Sequence, residues 1–468
     1  MIGRLALRSL TAHPVRSLVL AFGFGAGVAV MAILLAVAEV VLEQAQSPAL
    51  VGGGDVLIRL NRQVPAQVLL SGTLQADALR PRVRAASPFS TTYVFLADGG
   101  APTRVALRAG IPSLERTLGD DETSRVAAWR DTAADAAWTR SDPAAALRQV
   151  DRFHPIPDAP DWADSWAEWL YFNGRGADAR FYLTFLVGPR AGAGRVAGVR
   201  LQLQRGERTD TFGESATLTE SDVARAPDLT IGRSTVRLDG MRYHVHLDLP
   251  GRDGSRAVGD LQLDASPGRL VPPIEILGAR GWRTGYVVPV MSGALAGEVT
   301  VGGQTVRLDG RGYHDHNWGF WRDVSWQWGQ VQHDDLSLLY GRVFPPADAA
   351  DARTMPGFVG VLGPDGPLGY ATNVQITETS RPDGRPETIR VRAIGNGLDL
   401  LMRFDAHSAV TTRMAQGPME SGLDFLQLQG QYAVTGRAGS RQLAFTASGA
   451  AETFRGAGRT PPGAAAPR

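Results

Sequence analysis

The sequence predicts a mainly β protein, with two all-β bodies in tandem behind a single N-terminal apolar helix and an α+β spacer. Three observations carry this. From about residue 151 to residue 456, runs at 166–173, 179–187, 195–203 and 234–248 alternate apolar and polar side chains over strand lengths. Gly-rich turns separate these runs, and 55 Gly and 29 Pro supply many such turns. Residues 17–38 carry no charge, and as a helix they extend about 33 Å, enough for a bilayer core. Regular strand spacing of this kind means a sandwich or a barrel.

Composition narrows the function. The 468 residues exceed one ordinary domain, and 44% hydrophobic with 20% charged residues excludes a disordered chain. Basic and acidic residues nearly balance, 48 against 47, and no strongly basic stretch occurs, which argues against nucleic acid as a partner. Every basic residue is Arg, which removes a Schiff-base lysine and a P-loop lysine. Cys is absent, excluding disulfides, thiolate nucleophiles and Cys-ligated zinc. It leaves the compartment open, because a Cys-free chain also suits an oxidising space. There is no G-x-S-x-G elbow and no Gly-rich phosphate loop opening a helix, so no cofactor is expected.

The elements follow in order. Residues 1–16 carry Arg4, Arg8 and Arg16 and no acid, so the positive-inside rule puts them in the cytoplasm and the rest outside. Ala36-Val37-Ala38 fits an A-x-A cleavage site, but the apolar run is long for a signal peptide, which favours an uncleaved anchor at residues 1–45. Either way the body is exported, to the periplasm of a bacterium if the anchor stays in the inner membrane. No second comparable run follows, so this is not a polytopic transporter. Residues 46–150 form the spacer, with strands at 56–60 and 92–97 and a helix over 114–138 that includes Asp120, Asp121 and Glu122. Ser141-Asp142-Pro143 caps a last short helix through Val150. The two β bodies occupy 151–295 and 296–458, and 459–468 is a disordered tail.

An internal echo joins the two bodies. Thr235-Val236-Arg237-Leu238-Asp239-Gly240 recurs as Thr305-Val306-Arg307-Leu308-Asp309-Gly310, followed by Tyr243-His244-Val245-His246 and Tyr313-His314-Asp315-His316. The pattern suits two hairpins with an Asp-Gly turn, or two similar barrels.

Residues 312–329 are the densest polar-aromatic segment. On a strand, Tyr313, Asp315 and Asn317 face one way and His314, His316 and Trp318 the other. If the first set points into an apolar barrel, Asp315 has a raised pKa and can serve as a general acid for a carbon–carbon double bond. If it does not, Asp315 and Asn317 pin a turn. His314-x-His316 has metal-ligand spacing, echoed by His244-x-His246, but no carboxylate stands at a recognisable third position, so no metal is expected. His154 and His333-Asp334-Asp335 are scattered candidates. Trp318, Trp321, Trp326 and Trp328, with Trp166, Trp169 and Trp282, either fill cores or wall an apolar ligand. Glu168 is placed as a second carboxyl in the same interior.

Two resemblances sharpen these expectations. The apolar N-terminus followed by Gly53-Gly54-Asp55 resembles the first membrane segment of permease subunits of lipoprotein-release and MacB-type ABC exporters, which implies ABC transporter subunits as partners. WAEWLYFNG (166–174), GRGYHDHNWGFW (310–321) and SWQWGQ (325–330) resemble the carotenoid 1,2-hydratase (hydroxyneurosporene synthase) family and its AttH-like members, and also lipocalin-like Diels–Alderases. The resemblance runs over about 155–456. It implies two lipocalin-like barrels, with the D-H-N-W-G strand opening the second, and Tyr313 and Asp315 as the acid site. The hydratases' His-x-Trp pair is absent, since that region reads Tyr286-Val287-Val288. A hydrolase function has no nucleophile behind it here. The expected site is Asp315, Tyr313 and Asn317 for catalysis, with Trp318, Trp328, Trp169, Glu168, Tyr286 and His316 against a hydrophobic small molecule or lipid. The expected activity is hydration or isomerisation of a double bond. The alternative is a non-catalytic lipid-binding accessory protein of an ABC exporter.

Overall fold

The computed structural model describes residues 12–46, 56–58, 66–67, 69–70, 81–96, 103–119, 126–139, 142–206, 208–364, 366–414 and 423–456. The chain divides into two compact units, residues 1–59 with 84–138, and residues 60–83 with 139–468.

The first unit holds helix α1 (Pro14–Gln46). Its segment Pro14–Ala38 is long and apolar enough to cross a membrane, a property that signal sequences share. Arg4, Arg8 and Gly53-Gly54-Asp55 lie outside the described residues. Strands β1 (Phe89–Leu96) and β2 (Thr103–Gly110) pair as an antiparallel hairpin. The strand expected over 56–60 is not formed at 56–58, and 59–60 lie outside the described residues. Among the described residues, the helix expected over 114–138 is not continuous: α2 (Pro112–Leu118) and α3 (Ala133–Thr139) are separate, and 126–132 are not helical. Gly119, at φ 82°, ends α2 in the left-handed conformation that favours glycine. Asp120, Asp121 and Glu122 lie outside the described residues.

The second unit opens with α4 (Pro143–Val150), where the Asp142 carboxylate accepts from the Ala144 and Ala145 amides at 3.0 Å each. Leu147 and Val150 are the buried side of this helix. There follow β3 (Trp166–Arg175), β4 (Ala179–Ala191), β5 (Gly194–Arg205), β6 (Arg208–Leu218), α5 (Glu220–Val223), β7 (Leu229–Ile231), β8 (Ser234–Asp239), β9 (Arg242–Pro250) and β10 (Arg256–Asp264). Then come β11 (Val271–Leu277), β12 (Arg283–Val301), β13 (Gln304–Arg307) and β14 (Gly310–Phe320). These strands form one sheet in the order β6-β5-β4-β3-β14-β12-β10-β9-β8-β7, with β11 and β13 also on β12. A bridge between Phe212 and Gly251 brings β6 against the end of β9, so the sheet curls almost into a barrel. Its inside is filled by apolar side chains, among them Phe172, Leu183, Leu201, Val245 and Leu261.

The remaining strands are β15 (Ser325–His333), β16 (Leu336–Phe344), β17 (Phe358–Gly363), β18 (Gly366–Ser380), β19 (Pro386–Asn396), β20 (Leu398–Met414), β21 (Leu423–Ala438) and β22 (Arg441–Gly456). They close into a barrel, β15 pairing with both β16 and β22. Val331, Leu338, Val391, Met402 and Leu428 are among the side chains of its core. The architecture is therefore mainly β with two lipocalin-like barrels in tandem. The tail at 459–468 lies outside the described residues.

The boundary between barrels differs from the expectation at 295/296, which falls inside β12. The D-H-N-W-G strand does not open the second barrel. As β14 it lies in the middle of the first sheet, between β3 and β12. The pairing explains this. β14 is matched to β3 residue by residue from Arg311↔Arg175 to Phe320↔Trp166, so its hydrogen-bonding edges are already taken. Trp282 Nε1 donates to the Phe320 carbonyl at 3.0 Å and Trp321 Nε1 to the Ala167 carbonyl at 2.8 Å, sealing the strand's end. The chain passes to the second barrel only at 321–324.

The echo is not a structural repeat. β8 and β9 form a hairpin around Asp239-Gly240, with Gly240 at φ 58°. In the second copy, β13 and β14 both pair with β12 rather than with each other. The phases are opposite too: Tyr243 is buried in the first barrel's core and His246 is half exposed, whereas His314 and His316 point into that core.

Expressed as separate pieces, residues 139–321 and 322–458 are expected to give folded, protease-resistant barrels. Pieces cut at 295/296 leave the first sheet without its central strand and are expected to be degraded under the same limited proteolysis. The reverse ranking contradicts the boundary.

Candidate functional site

β14 alternates, and its two faces meet opposite environments. On one face Asp315 accepts from the Tyr313 hydroxyl (Oδ2, 2.8 Å) and from the Asn317 amide (Oδ1, 2.9 Å). Tyr313 and Tyr286 share a hydroxyl–hydroxyl bond of 2.6 Å, and Trp328 Nε1 donates to the Tyr286 hydroxyl at 3.0 Å. Tyr313 gives its one hydroxyl hydrogen to Asp315, so Tyr286, which accepts from the indole, donates to Tyr313, and the chain runs Trp328 to Tyr286 to Tyr313 to Asp315. Cross-strand pairing builds the group: Asp315 stands opposite Tyr171, and Asn317 opposite both Trp169 and Tyr286.

This face does not look into a barrel, one of the two orientations the sequence left open. The inside of the first barrel is apolar core, and Asp315 faces a cavity of about 1750 Å³ between the two barrels. Ligand pockets of about 300–1,000 Å³ are usual, so this one has room for a large guest. Trp169, Tyr171, Tyr286, Trp326 and Trp328 are among its walls. The second barrel contributes Glu452, which stands across from Trp328 on β15 and from Gln427 on β21.

The acids here are unusual. Burial pushes the Asp315 carboxyl well above the ordinary carboxylate range; the Tyr313 hydroxyl draws it back, and the Glu452 charge pushes it further up. Burial likewise raises Glu452 to about 7, with Tyr171 and Gln427 holding it back. Burial also raises Tyr313 and Tyr286 well above their ordinary value, so both remain hydroxyls. The cavity thus presents two protonatable carboxyls against aromatic walls near neutral pH.

The other face of β14 is a buried ionic network. Asp151, just past α4, accepts from the Tyr243 hydroxyl at 2.8 Å, and its Oδ2 lies 2.9 Å from His314 Nε2. His314 Nδ1 donates to the Tyr171 carbonyl at 3.0 Å. His316 lies between Asp151 (3.2 Å) and Glu168 (2.8 Å). Glu168 also accepts from the His154 backbone amide, and its Oε1 is 2.7 Å from His154 Nδ1. Trp318 stacks on His154 at 4.2 Å over Gly285, where a Cβ would meet the indole at 2.0 Å. Burial alone would lower the His316 pKa, but the two carboxylates raise it to about 9. Burial opposes ionisation of Asp151, yet His314 and His316 bring it down to about 2. His154, Glu168 and His316 have ligand atoms within 4.8 Å of one another and could hold a metal ion. Two imidazoles and a carboxylate are a zinc- or iron-type donor set. In this geometry those atoms are engaged with each other.

The family described as "Domain of unknown function (DUF7064)" matches residues 148–447. The chain belongs to that family. Among solved structures it is similar to the one titled "Crystal structure of CghA", at 12% identity and a TM-score of 0.41, over 65% of this chain and 94% of that one. No curated protein matches the sequence.

Of the residues expected at the site, this DUF7064 chain brings Asp315, Tyr313, Asn317, Tyr286, Trp169 and Trp328 together. Trp318, His316 and Glu168 are corrected: all three lie on the network face, away from the cavity. Strand alternation is the reason, because Glu168 stands opposite Trp318 while its neighbour Trp169 stands opposite Asn317. The second cavity carboxyl with a raised pKa is Glu452, which sequence reasoning missed. Its signal was position in AAETF of β22, a lone acid amid small and apolar residues. Asp151 and His154 were also missed as partners, since no spacing links them to β14.

These shifts fix a pH dependence. Glu452 holds its proton more tightly when folded, so its contribution to stability is complete below pH 4.5 and is lost as pH rises through about 7. The contribution of His316 is complete below pH 6.5 and is lost as pH rises through about 9. The urea midpoint is therefore expected to fall from pH 4.5 to about 9. Glu452→Gln makes the lower part of that fall shallower, the raised Asp315 carboxyl supplying the remainder. His316→Gln flattens the upper part and lowers stability overall by about 3 kcal/mol, the usual cost of breaking a buried ion pair. Unchanged pH profiles in both variants contradict the assignment.

Proposed function

We propose that the second unit binds an apolar ligand, isoprenoid or acyl, in the cavity between its barrels, and that Asp315 is a general acid toward a double bond of that ligand. The observation that carries this is one carboxyl, Asp315, buried against aromatic walls, oriented by Tyr313 and Asn317, with its pKa raised. The Asp315 proton adds to one alkene carbon and leaves a carbocation at the other. The faces of Trp169, Trp328 and Tyr171 stabilise positive charge. Loss of a neighbouring proton to the Asp315 carboxylate gives an isomer. Capture of water gives an alcohol, with the water's second proton returning to the Asp315 carboxylate. The resemblance of GRGYHDHNWGFW to the carotenoid hydratases supports the same reading. α1 would anchor this unit to the outer face of a bacterial inner membrane.

A second reading follows from α1 and its resemblance to exporter permeases: a non-catalytic carrier that hands a lipid to or from ABC transporter subunits. One experiment separates the two. The full chain is purified gently, and native mass spectrometry identifies the co-purifying apolar mass. That compound is then incubated with the protein in deuterium oxide. The enzymatic reading predicts deuterium on a ligand carbon, as an isomer or an alcohol, and a rate about 10²–10⁴ lower for Asp315→Asn. A ligand that binds but never acquires carbon-bound deuterium leaves the carrier. A bare protein mass contradicts both.

A further inference from the structure

The register of the first sheet lays out a single row across the cavity floor. Asp315 stands opposite Tyr171, Tyr171 opposite Thr184, Thr184 opposite Arg200, and Arg200 opposite Gly213. Residues directly opposite each other share a face, and all five members of the row line the cavity. With strands about 4.8 Å apart, Arg200 lies about 14 Å along the sheet from Asp315.

Arg200 is half-buried, and its Nε is buried without a hydrogen-bond partner. Among the described residues it makes no ion pair, and the charged group that acts on it is another cation, Arg252, itself on the cavity wall. This sets it apart from Arg205 and Arg208 nearby, which both pair with Asp210. Its surroundings are cleared. Gly198, two residues back on the same strand, and Gly213, opposite, bring no side chain, and a Cβ at Gly213 would meet the Val199 carbonyl at 2.8 Å. Hydroxyls of Thr184, Ser215 and Thr211 line the same end. A guanidinium taken part-way out of water and left without an anion is costly unless a ligand supplies one.

We infer that Arg200 is the head-group anchor of the cavity, and that the ligand is an amphiphile with a carboxylate at one end and an apolar, unsaturated chain reaching Asp315. The planar Arg200 guanidinium matches a carboxylate in its two-pronged geometry, and Arg252 on the same wall adds positive charge. The inference rests on the cavity being a ligand site, and it deepens that reading. With the head group held at Arg200, the bond beneath Asp315 is three strands away from the carboxylate. The reacting double bond is therefore remote from the acid group rather than conjugated to it.

The test uses oleic acid and oleyl alcohol, which differ only at the head. Each is titrated into the full chain, with binding read from quenching of the cavity's tryptophans and by calorimetry. The wild-type protein is expected to bind oleate about tenfold to a hundredfold more tightly than the alcohol, the range of a charge-assisted hydrogen bond. Arg200→Gln is expected to abolish that preference and leave alcohol binding unchanged, with circular dichroism confirming the fold. Arg200→Lys is expected to keep part of the preference. Equal binding of acid and alcohol by the wild type, or a preference that survives Arg200→Gln, overturns the anchor while leaving the apolar-ligand reading intact. Failure of the wild type to bind either compound overturns both.

Discussion

Strand β14 is paired on both edges, and its alternation sets two incompatible chemistries back to back. A one-residue slip would turn Asp315 into the apolar core and His314 and His316 into the cavity. What prevents the slip is the ionic network: His316 held between Asp151 and Glu168, and His314 between Asp151 and the Tyr171 carbonyl. Removing one member leaves a buried charge unpaired, which costs about 3–5 kcal/mol. The cavity face is thus oriented by Asp151, Glu168, His314 and His316, side chains of the opposite face.

The two faces also divide the energetics. On the network face, burial is opposed by partners, so acids and imidazole stay charged. On the cavity face, burial wins, raising Asp315 well above the ordinary carboxylate range and Glu452 to about 7. Keeping two carboxyls in an apolar cleft costs stability whenever they ionise, and such a cost is common where a fold carries chemistry. The half-buried Arg200 at the far end of the same sheet is the counterpart in opposite charge.

Much of this was legible in the sequence. Period-2 alternation located β3, β4, β5 and the β8–β9 hairpin, and Asp142-Pro143 located the start of α4. Alternation also sorted Tyr313, Asp315 and Asn317 from His314, His316 and Trp318 correctly. What alternation cannot give is which side of a strand is the inside. That depends on β14 lying between β3 and β12, a pairing across some 140 residues that no local pattern encodes. The same limit hid Glu452, which reaches the cavity only because β22 closes against β15. The echo misled for a related reason: identical residues followed a hairpin turn in one copy and a continuing edge of β12 in the other, so their phases reversed.

For Asp315 to act as a proton donor, it must carry a proton near neutral pH. Infrared difference spectroscopy tests it directly. At pH 7 the spectrum of the wild-type protein minus that of Asp315→Asn should show the carbonyl stretch of a protonated carboxylic acid, in a Glu452→Gln background that removes the second acid. The band should weaken only as pH is raised well beyond the ordinary carboxylate range. A carboxylate band at pH 7 in place of the acid band would contradict the account, because an ionised Asp315 cannot be the proton donor.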